Sequence, residues 1–239
     1  MKSHLRYTAV LVLCALFACR AELTERRTDF VVHGVDVSRY QGDIRWEELR
    51  YDDLTFAYIK ATEGSDHQDA RFAENWASAS QQQVVRGAYH FFRPKIDARA
   101  QAEHFTAAVK LEVGDLPPVL DVEVLDEATR TELISGMRTW LYLTEIRTGV
   151  RPIIYTNLGF YYRHLAGHFD DYRFWIARYG SREPSLATGA QLTFWQYGDR
   201  GRAAGIDGPV DLNVFFGTRA EFDALRIQEP QVLTWETEW

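Results

Sequence analysis

From residue 30 onward, short runs of β-branched and aromatic residues alternate with stretches whose apolar positions recur at helical spacing. The runs predict eight strands: 30–37, 55–60, 86–92, 119–124, 152–156, 173–178, 191–196 and 210–215. Helical patterns fill the gaps between the first five, at 45–51, 70–82, 98–109 and 127–147, and a shorter one at 158–165 follows the fifth. Only loops rich in Gly, Ser, Asp and Arg separate the last three strands. Strand and helix in alternation imply βαβ units on a parallel sheet, and eight strands in one stretch of chain imply closure into a barrel. With about five helices, and none between the last strands, this α/β barrel is expected to be lopsided.

The N-terminus follows a different pattern. Lys2 and Arg6 precede a strongly apolar run, Tyr7 to Ala18, in the order of an export signal. The run is short for a membrane span, which needs about 20 residues. An uncleaved anchor or a buried helix is the other reading. Leu16-Phe17-Ala18-Cys19 resembles a bacterial lipoprotein box, in which Cys19 would become the lipidated first residue. The expected organisation is a signal peptide at 1–18, a charged tether at 19–29, one domain at 30–225 and a tail at 226–239.

Composition narrows the function. The 239 residues are 46% hydrophobic and 26% charged, which is ordinary for a globular chain. Net charge is −7, and losing Lys2 and Arg6 with the signal would take it to −9. With no long basic run, nucleic acid is a poor partner. Both cysteines, Cys14 and Cys19, precede the domain, so thiolate catalysis and disulfides are not expected in it. The seven histidines show no HxH or HExxH spacing, and no GxSxG elbow or glycine-rich phosphate loop occurs. Neither a metal nor a cofactor is expected, so the chemistry falls to carboxylates.

In such a barrel, chemistry sits at the C-terminal strand ends. Asp36 closes the first strand, Asp121 and Glu123 close the fourth, and Asp211 stands early in the eighth. Two residues apart on a strand, Asp121 and Glu123 share a face at about 6.6 Å along it. Two acids in a partly dry pocket cannot both ionise cheaply, so one keeps its proton and can act as a general acid. Glycosidic cleavage requires that. Tyr89, Tyr155, Trp195 and Gln196 lie at the same ends and suit a sugar, rings against its C–H faces and polar tips on its hydroxyl and acetamido groups. His90, next to Tyr89, reads as a hydrogen-bonded structural histidine.

These residues sit in longer motifs: Gly34-Val35-Asp36-Val37-Ser38-Arg39-Tyr40-Gln41-Gly42, Phe56-Ala57-Tyr58-Ile59-Lys60-Ala61-Thr62-Glu63-Gly64, Gly87-Ala88-Tyr89-His90-Phe91, Val119-Leu120-Asp121-Val122-Glu123, Phe194-Trp195-Gln196-Tyr197 and Val210-Asp211-Leu212-Asn213. In this order they resemble the lysozymes of glycoside hydrolase family 25, from Gly34 to about Gly217. The resemblance implies a flattened TIM-like barrel that cleaves the β-1,4 bond between N-acetylmuramic acid and N-acetylglucosamine in peptidoglycan. It further implies Glu123 as general acid, Asp121 beside it positioning the acetamido group, Asp36 and Asp211 completing an acidic cluster, and Tyr89, Tyr155 and Gln196 lining the pocket. The second step, by a protein nucleophile or by the substrate's acetamido oxygen, is left open, with substrate assistance favoured.

Two other readings compete. One is a non-catalytic peptidoglycan-binding module on the same barrel, against which all four acids argue. The other is a glycosidase of another N-acetylated glycan such as chitin, though the DxxDxDxE signature is absent. The expected product is an exported monomer, periplasmic, on the outer surface or secreted, whose membrane anchoring, if any, runs through Cys19.

Overall fold

The computed structural model describes residues 24–229 with the exception of 188. The export segment, Cys19 and residues 230–239 lie outside the described residues. Nine strands occur in chain order: β1 (His33–Val37), β2 (Phe56–Glu63), β3 (His67–Gln68), β4 (Val85–Phe91), β5 (Val119–Asp121), β6 (Ile153–Asn157), β7 (Arg173–Ala177), β8 (Gln191–Gly201) and β9 (Val210–Phe215). The sheet runs β1-β9-β8-β7-β6-β5-β4-β2, and β1 pairs with β2 to close an eight-stranded barrel. The two-residue β3 only turns back on the end of β2. Around it stand α1 (Trp46–Leu49), α2 (Phe72–Gln81), α3 (Ala98–Ala108), α4 (Arg130–Thr148), α5 (Leu158–Phe160, continued by a π turn at Tyr161–Leu165) and α6 (Arg219–Leu225).

The expectation of an all-parallel sheet fails at one strand: β9 runs antiparallel to both β8 and β1. A parallel return needs a crossover of a dozen or more residues, usually a helix, and the short loop after β8 supplies none. The reversal matters for chemistry. It brings the start of β9, with Asp211, to the same mouth as the C-terminal ends of the other strands.

Side chains along each strand alternate between two apolar compartments. One set, including Val35, Val37, Ala57, Ile59, Leu120 and Ile154, packs outward with Phe105, Leu133, Met137 and Trp140 of α3 and α4. The other, including Phe56, Tyr58, Val119, Ile153, Trp175, Phe194 and Phe215, fills the barrel. Phe222 of α6 plugs the bottom, its ring 5.6 Å from that of Phe56 and 5.4 Å from that of Phe215. That helix has no counterpart in the periodicity; its signal is the capping box Thr218-Arg-Ala-Glu221, whose two reciprocal bonds are formed. The same device starts α4 at Thr129 and Glu132, later than the pattern suggests, and Gly149 in left-handed conformation (φ 71°) stops it.

Among the described residues, no helix covers the outer face of β8. The chain ahead of β1 does so instead. Phe30 packs edge-on against Trp195 and Phe216, and the Arg27 guanidinium lies 4.7 Å over the Trp195 ring. At the upper end Thr24 donates its backbone N–H to the Arg200 carbonyl (3.0 Å) and leans on Gly198, where any side chain would collide with it.

Inside the barrel, Gly87 and Gly34 make room for large rings. A Cβ on Gly87 would run into the Tyr58 ring, and one on Gly34 into Phe56. Overpacking of this kind typically costs about 1–3 kcal/mol. Gly87→Ala is expected to lower unfolding stability by about that amount, read from urea melts, and to reduce activity as well because Tyr58 supports the pocket floor. Unchanged stability would mean that the interior has slack to spare.

Candidate active site

A cavity of about 270 Å³ opens at the barrel mouth. Asp36, Asp121, Glu123 and Asp211 all reach it, together with Lys60, Tyr89, Tyr155, Trp175, Tyr179 and Gln196. Asp36 and Asp211 are directly opposed across the β1–β9 pair, a relation that places Cβ atoms about 4.5–5.5 Å apart. Asp121 ends β5 and Glu123 follows just beyond it. A second depression of about 290 Å³ adjoins, lined by Glu123, Asn157, Ala177 and Tyr179. Glu123 is thus a wall common to both lobes of the groove.

Asp36 is the best anchored of the acids. Its Oδ2 accepts from Gln196 Nε2 (2.9 Å) and from Asn213 Nδ2 (2.7 Å). Each amide is itself held. Gln196 Oε1 accepts from the Tyr155 hydroxyl at 2.8 Å and from the Tyr179 hydroxyl at 3.2 Å. Asn213 Oδ1 accepts from Trp175 Nε1 at 2.8 Å, and the Trp175 ring stacks on Tyr58 with centroids 4.9 Å apart. Asp121 is different: it is buried, and its Oδ1 has no hydrogen-bond partner among the described residues.

Burial dominates the charge states. It pushes Asp121 well above the ordinary carboxylate range, with the Glu123 charge adding to the effect. Glu123 is raised too, by burial and then by the charge of Asp36. Asp211 is pushed up to about 9 by burial and by facing Asp36. Asp36 is also raised by burial, opposed by the bonds from Asn213, Gln196 and Asp211. Acids this close titrate as coupled sets. Asp211 holds a proton toward Asp36, and Asp121 and Glu123 both favour the protonated form more than a free carboxyl does.

The eight residues singled out from sequence do not all arrive at the pocket. Seven do. Trp195 does not, because it neighbours Gln196 on β8 and therefore faces the opposite side, fully buried, where its Nε1 donates to the Arg178 carbonyl at 2.7 Å. Trp175 on β7 takes the aromatic place in the wall, and strand alternation in Arg173-Phe-Trp-Ile-Ala177 was the available signal. Asn213 was equally readable, two positions from Asp211 and so on its face. Tyr179 sits in a loop, where no periodicity marks it. His90 is structural. Stacked on Trp140 (5.4 Å between centroids), it accepts from the Thr62 hydroxyl and donates to Gln101 Oε1, and burial drops its pKa to about 3.

Comparison with known proteins identifies the family. A model of Glycosyl hydrolases family 25 matches residues 35–206. The chain is 44% identical over 197 residues to the uncharacterized protein YegX of an Escherichia coli strain, covering 80% of this chain and 72% of that one. It is 36% identical over 209 residues to lysozyme M1 of Streptomyces globisporus, covering 81% and 71%. Among solved structures, a family 25 glycosyl hydrolase from Bacillus anthracis superimposes with a TM-score of 0.81 at 33% identity, covering 88% of this chain and all of that one. Matched along most of its length in both sequence and fold, the chain belongs to glycosyl hydrolases family 25 and is a glycoside hydrolase.

Proposed function

We propose that this protein is an exported N-acetylmuramidase, cutting the β-1,4 bond between N-acetylmuramic acid and N-acetylglucosamine in peptidoglycan glycan strands. The observation that carries this reading is the buried, unpartnered Oδ1 of Asp121 two residues from a protonatable Glu123. An acceptor so placed suits the N–H of a 2-acetamido group. Glu123 stands between the two lobes, where the oxygen linking two sugars would lie.

The steps follow from the charge states. Acetamido N–H bonding to Asp121 favours its ionised form and leaves the shared proton on Glu123. Glu123 gives that proton to the glycosidic oxygen as the C1–O bond breaks, and the leaving sugar departs with a free hydroxyl. The acetamido carbonyl oxygen forms the new bond to C1 from the opposite face, and Asp121 stabilises the positive charge that develops on the ring so formed. Water, deprotonated by the Glu123 carboxylate, then reopens that ring at C1, giving net retention. Asp36, fixed by two amides, and protonated Asp211 shape the sugar pocket, with Tyr89, Tyr155 and Gln196 as its polar and aromatic lining. All charge in this scheme is handled by carboxylates.

The primary test digests purified peptidoglycan and identifies the soluble fragments by mass spectrometry after borohydride reduction. Reduced muramic acid ends are expected, and Glu123→Gln should abolish their release without lowering the melting temperature, since an amide has no proton to give. Reduced glucosamine ends, or wall binding without any release, would overturn the assignment.

Asp121→Asn should lose about 10²-fold or more in kcat, because the group orienting the nucleophile is gone. Its pH profile tests the coupling. With substrate bound and Asp121 ionised as above, its charge beside Glu123 would raise the Glu123 pKa; the neutral amide removes that charge, so the basic limb of kcat should move down by about 1 pH unit or more. A stationary limb would mean that the two acids do not share a proton.

Export rests on the ordering of Lys2, Arg6, the apolar run and Cys19. In a bacterial host, the protein is expected in the membrane fraction, and Cys19→Ser should release it. Equal fractionation of both forms would exclude a lipid anchor at this cysteine.

A further inference from the structure

Among the described residues, Lys60 is the only lysine or arginine in the wall of the acidic pocket. It rises from β2 with its ammonium 5.0 Å from the centroid of the Phe91 ring, and Phe91 is the register partner of Asp121 across β4 and β5. The cation therefore stands on the Asp121 side of the cavity. Its one described hydrogen bond goes to Glu63 Oε2 at 2.7 Å, leaving two of its three N–H donors.

Glu63 does not neutralise it fully. The other carboxylate oxygen is gripped twice by Arg93, at 2.6 and 3.0 Å, so one anion is divided between two cations. Burial pushes the Glu63 carboxyl up, but Lys60 and Arg93 together outweigh it and keep it ionised. Arg93 is further tied to Asp126 (3.1 Å). Its side is committed to protein partners, whereas Lys60 is half-committed and faces the cavity.

A pocket lined by four acids disfavours an anionic ligand, and muramic acid differs from glucosamine by an anionic substituent. Its lactyl ether sits on O3, one carbon from the acetamido group at C2. If the acetamido N–H meets Asp121, as proposed above, the lactyl carboxyl oxygens are directed to the same side of the pocket. A cation is required there to offset the acids.

We propose that Lys60 is a specificity-determining residue, which pairs with the lactyl carboxyl oxygens of the muramic acid ring and selects that ring over N-acetylglucosamine at the bond to be cut. The inference rests on the muramidase reading for its choice of sugar. Those oxygens come in two forms: a free carboxylate in strands stripped of stem peptides, and an amide carbonyl where a peptide is attached. The ion pair is the stronger contact, so Lys60 acts most on stripped strands.

The test measures binding instead of turnover. In the Glu123→Gln protein, dissociation constants are taken by calorimetry for three tetrasaccharides: chitotetraose, the alternating glucosamine–muramic acid tetrasaccharide with free lactyl groups, and the same compound carrying L-alanyl-D-isoglutamine. Adding Lys60→Met, which keeps the apolar stem against Phe91, is expected to weaken both muramyl ligands tenfold or more. The free carboxylate should suffer most, and chitotetraose should stay within twofold. Equal weakening of all three would make Lys60 a general support of the acids or the fold, and would overturn the proposal. So would unchanged muramyl binding, or no muramyl binding before Lys60 is changed. Failure of the muramidase reading shows separately, as an absence of reduced muramic acid ends.

Discussion

The active face depends on holding a buried carboxylate, Asp36, in one place. Two amides grip the same oxygen, and neither is free to turn. Gln196 is fixed by two tyrosine hydroxyls, and Asn213 by the indole of Trp175, whose ring lies flat on Tyr58. Tyr58 in turn occupies space that only a glycine at position 87 leaves open. The aromatic filling of the barrel is thus a platform as well as a core. Its orientation passes upward from packing to hydrogen bonds, and from these to the charge at the barrel mouth.

Concentrating four acids at one mouth works against stability. Each is raised by burial, which is a statement that its ionised form is less comfortable here than in the unfolded chain. The barrel tolerates this because a proton remains on Asp211 and because the Lys60 ammonium, only partly matched by a Glu63 that Arg93 also holds, stands beside them; Arg93 in turn pairs with Asp126. That network also steadies the loop that follows Glu123. Asp126 and Glu127 both have positive φ (46° and 64°), a conformation that non-glycine residues adopt at a cost of about 1–2 kcal/mol each. The Arg93 ion pair to Asp126 helps hold that turn.

Much of this was legible along the chain because strand alternation is strict. Eight barrel strands lie on the apolar runs, and Asp211 and Asn213, two apart on β9, share a face from which Asn213 reaches Asp36; the run expected at 119–124 stops as a strand at Asp121, so Glu123 reaches the pocket from the loop beyond β5. Misplacing Trp195 broke that same rule by assigning it the face of its neighbour Gln196. Strand direction left no mark in the periodicity, since a run of alternating residues reads alike in both senses; only the missing helix before Val210 hinted at the reversal of β9. The closing helix α6 is short, and its evidence was a cap. Tyr179 and the ion pairs of Arg93 depend on where loops come to rest, and this is decided by contacts distant in sequence.

The segment ahead of β1 carries a geometric implication. It enters at the rim, beside Arg200 and Gly198, and descends the outside of β8 before the first strand begins. Whatever precedes Thr24 therefore departs from the catalytic end of the barrel and not from its plugged base. Four residues separate Cys19 from Thr24, five Cα-to-Cα steps with a reach of at most about 18 Å. A lipid on that cysteine would tether the groove within a short leash of the bilayer and confine cutting to the nearest layer of wall, making distance from the membrane itself a selector of substrate.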